Sequence, residues 1–457
     1  MPRPLASAHP QQREQKGLAL IIVLVILVMG TIALLVSSLN SSSLKIGRDQ
    51  VTTDALAQAK EALIGFAVKV QLSSSNAPNQ PRPGDLPCPD KHTPGTPLEG
   101  TSSTPCNGSV NALGRLPWKS LGLPDLRDSS GERLWYAISS NFKNSPRTPT
   151  LNSDTPGTIS VFASDGTQLN DGGSSGSGSS GAIAVIIAPG EALQRQDGIQ
   201  QNRSSVGANT ASNYLDIATV GGNTEDNANF TDSSTINGFI QGRIKDNNEN
   251  LIVNDQLIVL TQDNIMQAIQ KRVAAEVKLC LNEYASIINN NGRYPWAVPL
   301  TDLISYNDLT GQFFGRIPAN LSNTNTDSGA NMDSKWGPLC NTHNINTPAT
   351  WWLNWQEMVF YGLANAYKPV NPPTLPAVNA CTPVAACLSV NPPSAATNKK
   401  YVVIVAGKIL TAPPQLRSSN TDKATLGNYM EPPNNLGISP YAQGALSATF
   451  NDTVVFQ

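Results

Sequence analysis

Histidine is nearly missing from this chain of 457 residues: His9, His92 and His343 are all it has. That leaves little for general-base catalysis of the Ser-His or Cys-His kind, so no enzyme is expected. Charge is scarce as well, at 14 % of residues with a net charge of −2, and no basic block stands out. Nucleic acid, which needs a positive field, is therefore not an expected partner. A twelve-residue EF-hand pattern is also lacking, although the acidic loop Asp226 to Asp232 offers oxygens. Calcium is the one cofactor left open, and no resident metal is expected. Cys88 with His92 lacks the second ligand pair a zinc site needs. Gly172-Gly173-Ser174-Ser175-Gly176 fits a nucleophile-elbow pattern formally. It sits in a Ser/Gly tract with no strand before it and no helix after, which predicts a loop.

What is present points elsewhere. Thirty-five glycines and thirty-four prolines describe a loop-rich body. Six cysteines are most simply three disulfides, although six allow fifteen pairings. Proximity suggests Cys88 with Cys106 and Cys381 with Cys387, leaving Cys280 for Cys340. Trp351, Trp352 and Trp355 recur at helical spacing, which favours a core role over a binding surface.

One long apolar run exists, Leu18 to Val36, continuing uncharged to Leu39. That is roughly the 20 residues a helix needs to cross a bilayer. The run passes into helix-compatible sequence, Leu44 to Val70, rather than into a small-residue cleavage site. Arg3, Arg13 and Lys16 against Glu14 would keep the leader cytoplasmic and place everything after Asn40 outside the inner membrane. The expectation is a single-pass inner-membrane protein with a periplasmic body. From Leu18 to about Gln71 one helix could extend roughly 80 Å, with Gly30 and Gly47 as sites of bending.

Gln15-Lys16-Gly17 followed by Leu18-Ala19-Leu20-Ile21-Ile22-Val23-Leu24 resembles the processing site of type IV prepilins and of type II secretion pseudopilins. The resemblance implies cleavage after Gly17 by a prepilin peptidase, with Leu18 as a methylated new N-terminus. It also implies contacts with other pilins or pseudopilins through the N-terminal helix, and with an inner-membrane assembly platform. Most such proteins carry Glu at the fifth mature position, where Ile22 stands here. An unpaired Glu in lipid is costly, so its absence suits a subunit with no neighbour above it.

The body repeats itself. Ala59-Lys60, Leu63 and Phe66-Ala67 match Val277-Lys278, Leu281 and Tyr284-Ala285, and Gly114 to Trp118 matches Gly292 to Trp296. Glu132 to Ser139 matches Glu357 to Ala364, with apolar spacing that predicts a helix in each. Ala184 to Ala188 matches Val402 to Ala406 as a buried strand, and Asn213-Tyr214-Leu215-Asp216 matches Asn428-Tyr429-Met430-Glu431. Thr261 can cap a second long helix ending near Asn291-Gly292. Arg115 and Arg293 read as structural residues.

The expected fold is α+β: a long N-terminal transmembrane helix, then two tandem pilin-like heads, each a helix packed on an antiparallel sheet. The expected parts are a leader over 1–17, a helix over 18–71 that is transmembrane over 18–39, and heads over 72–250 and 251–457. The expected role is that of a minor, tip-type structural subunit. A binding protein or adhesin that never joins a filament is the competing class.

Overall fold

The computed structural model describes residues 46–457 except 71–80, 107–110, 149, 174–179, 205–208, 229–237, 323–331, 334, 339, 341–349, 371–373, 378, 384–385, 392–395 and 413. The chain divides into two units, Met1–Asp54 and Ala55–Gln457. Of the first, residues 46–54 are described and are helical.

Helix α1 spans 46–68. Within the second unit its residues Leu56, Ala59, Leu63 and Ala67 are buried at intervals of three and four, the single apolar stripe of an amphipathic helix. Eleven strands follow before the next helix. They are β1 (Ala112–Arg115), β2 (Trp135–Ile138), β3 (Val161–Phe162), β4 (Gln168–Asn170), β5 (Ala184–Ala188), β6 (Ile217–Val220), β7 (Asn223–Asp226), β8 (Phe239–Ile240), β9 (Ile244–Lys245), β10 (Leu251–Val253) and β11 (Gln256–Leu260). Helix α2 (Gln262–Ser286) starts at Thr261, whose capping box with Asn264 satisfies otherwise unpaired N–H groups. It stops five residues before Asn291, which takes a left-handed conformation just ahead of Gly292. Then come β12 (Phe314–Arg316), α3 (Thr350–Trp355), β13 (Val359–Leu363), β14 (Leu388–Asn391), β15 (Ala396–Lys399), β16 (Tyr401–Val405), α4 (Asn420–Lys423), β17 (Tyr441–Ala442) and β18 (Thr453–Phe456).

Two four-stranded antiparallel sheets result, ordered β1-β2-β5-β11 and β12-β13-β16-β18. Each has a three-stranded companion, β4-β3-β8 and β15-β14-β17, in which a hairpin is joined by one parallel strand. In the first sheet, Tyr136, Ile138, Ile186 and Leu260 face a core that also holds α1 and α2 residues. Trp135, Ala137, Val185 and Ile187 face the opposite way, onto Val161 and Phe239 of the companion sheet. The strands are thus buried on both faces. A single cluster of buried apolar residues runs from α1 through α2 into the second sheet, so the two heads share one core.

Several expectations are corrected here. The anticipated transmembrane helix over 18–39 lies outside the described residues, and among the described residues no helix is long and apolar enough to cross a membrane. The fold of a long transmembrane helix followed by helix-on-sheet heads, and the single-pass inner-membrane placement drawn from it, are therefore replaced by a strand-dominated α+β body. Its long helix α2 carries Lys271, Arg272, Glu276 and Lys278 along its length. The second helix anticipated in each head is a strand, β2 and β13. A strand covered on both faces shows no alternation, and its unbroken apolar run imitates a helical stripe. Strand β11 closes the first sheet against β5, and α2 begins only after it.

Strand pairing corrects the repeat register too. Tyr136 and Tyr361 each donate a hydroxyl hydrogen bond, to the Pro87 and Pro295 carbonyls respectively, both at 3.2 Å. Arg115 lies opposite Trp135, and Arg316 opposite Phe360. The partner of Gly114-Arg115-Leu116-Pro117 is therefore Gly315-Arg316-Ile317-Pro318, not Gly292 to Trp296. Likewise β5 matches Tyr401–Val405, because Trp135 faces Ile187 as Phe360 faces Ile404. The one-residue difference matters, since it would exchange the two faces of the strand.

Candidate functional site

The processing residues Gly17, Leu18 and Ile22 lie outside the described residues, as do His9 and His343. The six cysteines form three bridges: Cys88–Cys106, Cys280–Cys340 and Cys381–Cys387, with Cα atoms 5.5, 4.9 and 5.1 Å apart. Trp351, Trp352 and Trp355 are buried within the shared core and offer no outer binding surface. Arg115 is ion-paired with Asp90 at 3.8 Å and Glu99 at 3.6 Å, whereas Arg293 donates to the carbonyls of Thr374 and Lys368. The loop proposed for calcium is described only to 228, and the Gly172–Gly176 tract only to 173. No cluster of three or more metal-ligating side chains occurs among the described residues.

Asp90, His92 and Ser103 do come together, with the His92 Nδ1 atom 3.0 Å from Asp90 Oδ1 and 3.1 Å from Ser103 Oγ. Both contacts fall on the same ring nitrogen. A nucleophilic triad needs the imidazole between its partners, one at each nitrogen, so this group fixes a loop rather than relaying a proton.

Among the described residues a cleft of about 740 Å³ lies between the heads. Asp154, Asn170 and Gly181 line it from the first head, Gln262, Met266 and Gln270 from α2, and Lys408, Ile409 and Asn451 from the second. Next to the lining residues Asp154 and Gln270, a chain of hydrogen bonds links the first head to α2 and the second sheet. Ser153 Oγ donates to the Ala406 carbonyl at 2.7 Å, Gln270 Nε2 to Ser153 Oγ at 3.0 Å, and Thr453 Oγ1 to Gln270 Oε1 at 2.7 Å. Arg417 Nη1 meets both Asp154 oxygens at 2.9 Å, and the Ile409 N–H donates to the same carboxylate. Burial raises the Asp154 pKa, against the pull of the Arg417 charge. At the mouth, Lys408 and Asp263 form an exposed ion pair at 2.6 Å. The lining mixes apolar side chains, among them Met266, Ile409 and Leu410, with the amides of Asn170, Gln262, Gln270 and Asn451.

Beside each sheet lies a second constellation that sequence reading only touched. In the first head, Asp216 Oδ2 accepts the backbone N–H groups of Asn254 (2.7 Å) and Asp255 (3.3 Å), while Asp255 Oδ2 accepts that of Asp216 (2.9 Å). Gln201 donates to Asp216 at 2.9 Å and Asn227 to Asp255 at 2.7 Å. The second head repeats this with Glu431 and Asp452. Glu431 Oε2 accepts the Asn451 N–H, Asp452 Oδ2 accepts the Glu431 N–H, and Gln415 and Asn434 donate as Gln201 and Asn227 do. Arg203 and Arg417 also correspond. Each donates to the carbonyl of a glycine, Gly190 or Gly407, and lies over a tyrosine ring, Tyr214 or Tyr429. All four carboxyls are buried, and burial pushes each pKa up, Asp216 to about 6 and Asp255 and Asp452 well above the usual carboxylate range. The visible sequence signal was the Asn-Tyr-x-acid repeat. Asn254-Asp255 before β11 and Asn451-Asp452 before β18 would have completed it.

No family model matches this chain, and no curated protein or solved structure matches it.

Proposed function

We propose that this protein is a minor pilin-like or pseudopilin-like structural subunit, acting at or near the tip of a type IV pilus or a type II secretion pseudopilus. The observation that carries the reading is Gln15-Lys16-Gly17 set directly before the apolar run Leu18 to Val36. Support comes from a helix that leads into tandem α+β heads, and from three disulfides, which fit an oxidising compartment. In this reading a prepilin peptidase cuts after Gly17. Other pilins or pseudopilins pack against the N-terminal helix, and an assembly platform loads the subunit. Ile22 in place of Glu, together with a double head too bulky for close helical packing, favours a rare terminal position.

The test is the N-terminus of the purified full-length protein, read by mass spectrometry from cells with and without the peptidase. Peptidase-dependent cutting between Gly17 and Leu18 is the expected result; an intact leader in both strains overturns the reading. A second reading, a binding protein that never enters a filament, is favoured by the inter-head cleft. Sheared fibres devoid of the protein would support it.

A further inference from the structure

We propose that each head holds its last sheet strand with a pair of buried carboxyl groups that retain a proton, so that both latches weaken as pH rises. The argument starts from position. Asp255 and Asp452 each immediately precede the final strand of their sheet, β11 and β18. Asn227 and Asn434, held by those carboxyls, each bond both the N–H and the carbonyl of one residue in the parallel companion strand, Ile240 or Ala442. The pair therefore ties the last strand to the small sheet.

Asp216 and Asp255 each accept the other's backbone N–H, whereas Asp452 accepts that of Glu431 and Glu431 accepts that of Asn451, the residue before Asp452; in each head this brings two carboxyl groups together in a dry interior. Two negative charges so placed repel strongly. In the second head burial, and then the Glu431 charge, raise the Asp452 pKa, which favours a proton on that carboxyl. Asp255 Oδ1 and Asp452 Oδ1 are buried with no hydrogen-bond partner, the same atom in both heads. A cation does not explain the arrangement, because the other oxygens already accept N–H donors. Nor do nearby positive charges neutralise the pairs. Arg195 is engaged by Asp197 and Asp226, Arg203 by Glu132, and Arg417 by Asp154. Tyr429, packed on Arg417, bonds Glu357.

The sign follows from linkage. A carboxyl whose folded pKa lies above its unfolded value gives full stability below the unfolded value, about 4, and loses it as pH climbs through the folded one. For Asp216 that window runs from about 4 to about 6, and for Asp255 and Asp452 it extends higher. Each retained proton contributes up to about a tenfold change in the unfolding constant per pH unit.

The test is chemical unfolding of the full chain from pH 4 to 8, with hydrogen exchange followed on peptides covering β11 and β18. The wild type should lose stability steadily with rising pH, and protection of the two strands should fall first. Asp452→Asn should flatten the response of β18 alone, and the double variant with Asp255→Asn should flatten both. An unchanged slope in the double variant, or a flat wild-type curve, overturns the proposal. Should the Asn variants not fold, infrared spectra of the folded wild type at neutral pH decide the matter. A protonated-carboxyl C=O stretch supports the latch, and its absence overturns it.

Discussion

Asp216 and Asp255 in the first head, and Glu431 and Asp452 in the second, occupy equivalent places, and so do Gln201 and Gln415, Asn227 and Asn434, and Arg203 and Arg417. The sheets beside them kept far less. The central strand reads Ala-Val-Ile-Ile-Ala in β5 and Tyr-Val-Val-Ile-Val in β16. Apolar volume can be redistributed among neighbours without losing the fold, whereas a hydrogen bond needs its donor, its acceptor and its direction. Duplication followed by divergence has thus separated what is interchangeable in this body from what is not. One methylene, Asp216 to Glu431, is the largest change either carboxyl pair has accepted.

The sharpest way to break the likeness of the heads is through the two cross-links of the second head, where the first has Cys88–Cys106 alone. Cys280–Cys340 closes 60 residues and fastens α2, whereas Cys381–Cys387 closes only 6. Replacing the first pair by serine should cost about 4 kcal/mol and the second about 2 kcal/mol, read by denaturant unfolding under oxidising conditions. Equal losses would show that loop closure is not what these bridges contribute. Next come Leu63 and Leu281, fully buried at matching positions of α1 and α2. Substitution of either by Ala should cost about 3 kcal/mol. A much smaller loss at Leu63 would mean that the second head folds without α1, contrary to one shared core. The finest comparison is Tyr136→Phe against Tyr361→Phe. Each removes one buried hydroxyl hydrogen bond to a proline carbonyl and should cost about 1 kcal/mol, equally in the two heads.

Parts of this architecture were legible in the residues alone. The start of α2 was readable because Thr261 precedes an apolar stripe at helical spacing, and that stripe is the buried face. The duplication was readable because polar and Gly-Pro blocks recur in order. Its register was not, because Gly-Arg-x-Pro-Trp occurs by coincidence at a place that pairs differently, while the true partner, Gly315 to Pro318, lacks the tryptophan. Strands β2 and β13 were hidden by burial on both faces. The carboxyl pairs were hidden by distance: Asp216 and Asp255 are 39 residues apart, Glu431 and Asp452 are 21, and only folding reveals that Asp255 accepts the N–H of Asp216 and Asp452 that of Glu431.

The lysine that each long helix keeps in common has a consequence for assembly. Lys60 donates to the Val259 carbonyl and Lys278 to the Phe456 carbonyl, both at 2.9 Å. Those carbonyls belong to β11 and β18, each an edge strand of its sheet with no further strand beyond it among the described residues. An open strand invites another chain to add itself, and a charged side chain seated on its acceptor discourages that. Each head therefore carries, at the edge its last strand forms, its own guard against unplanned strand addition.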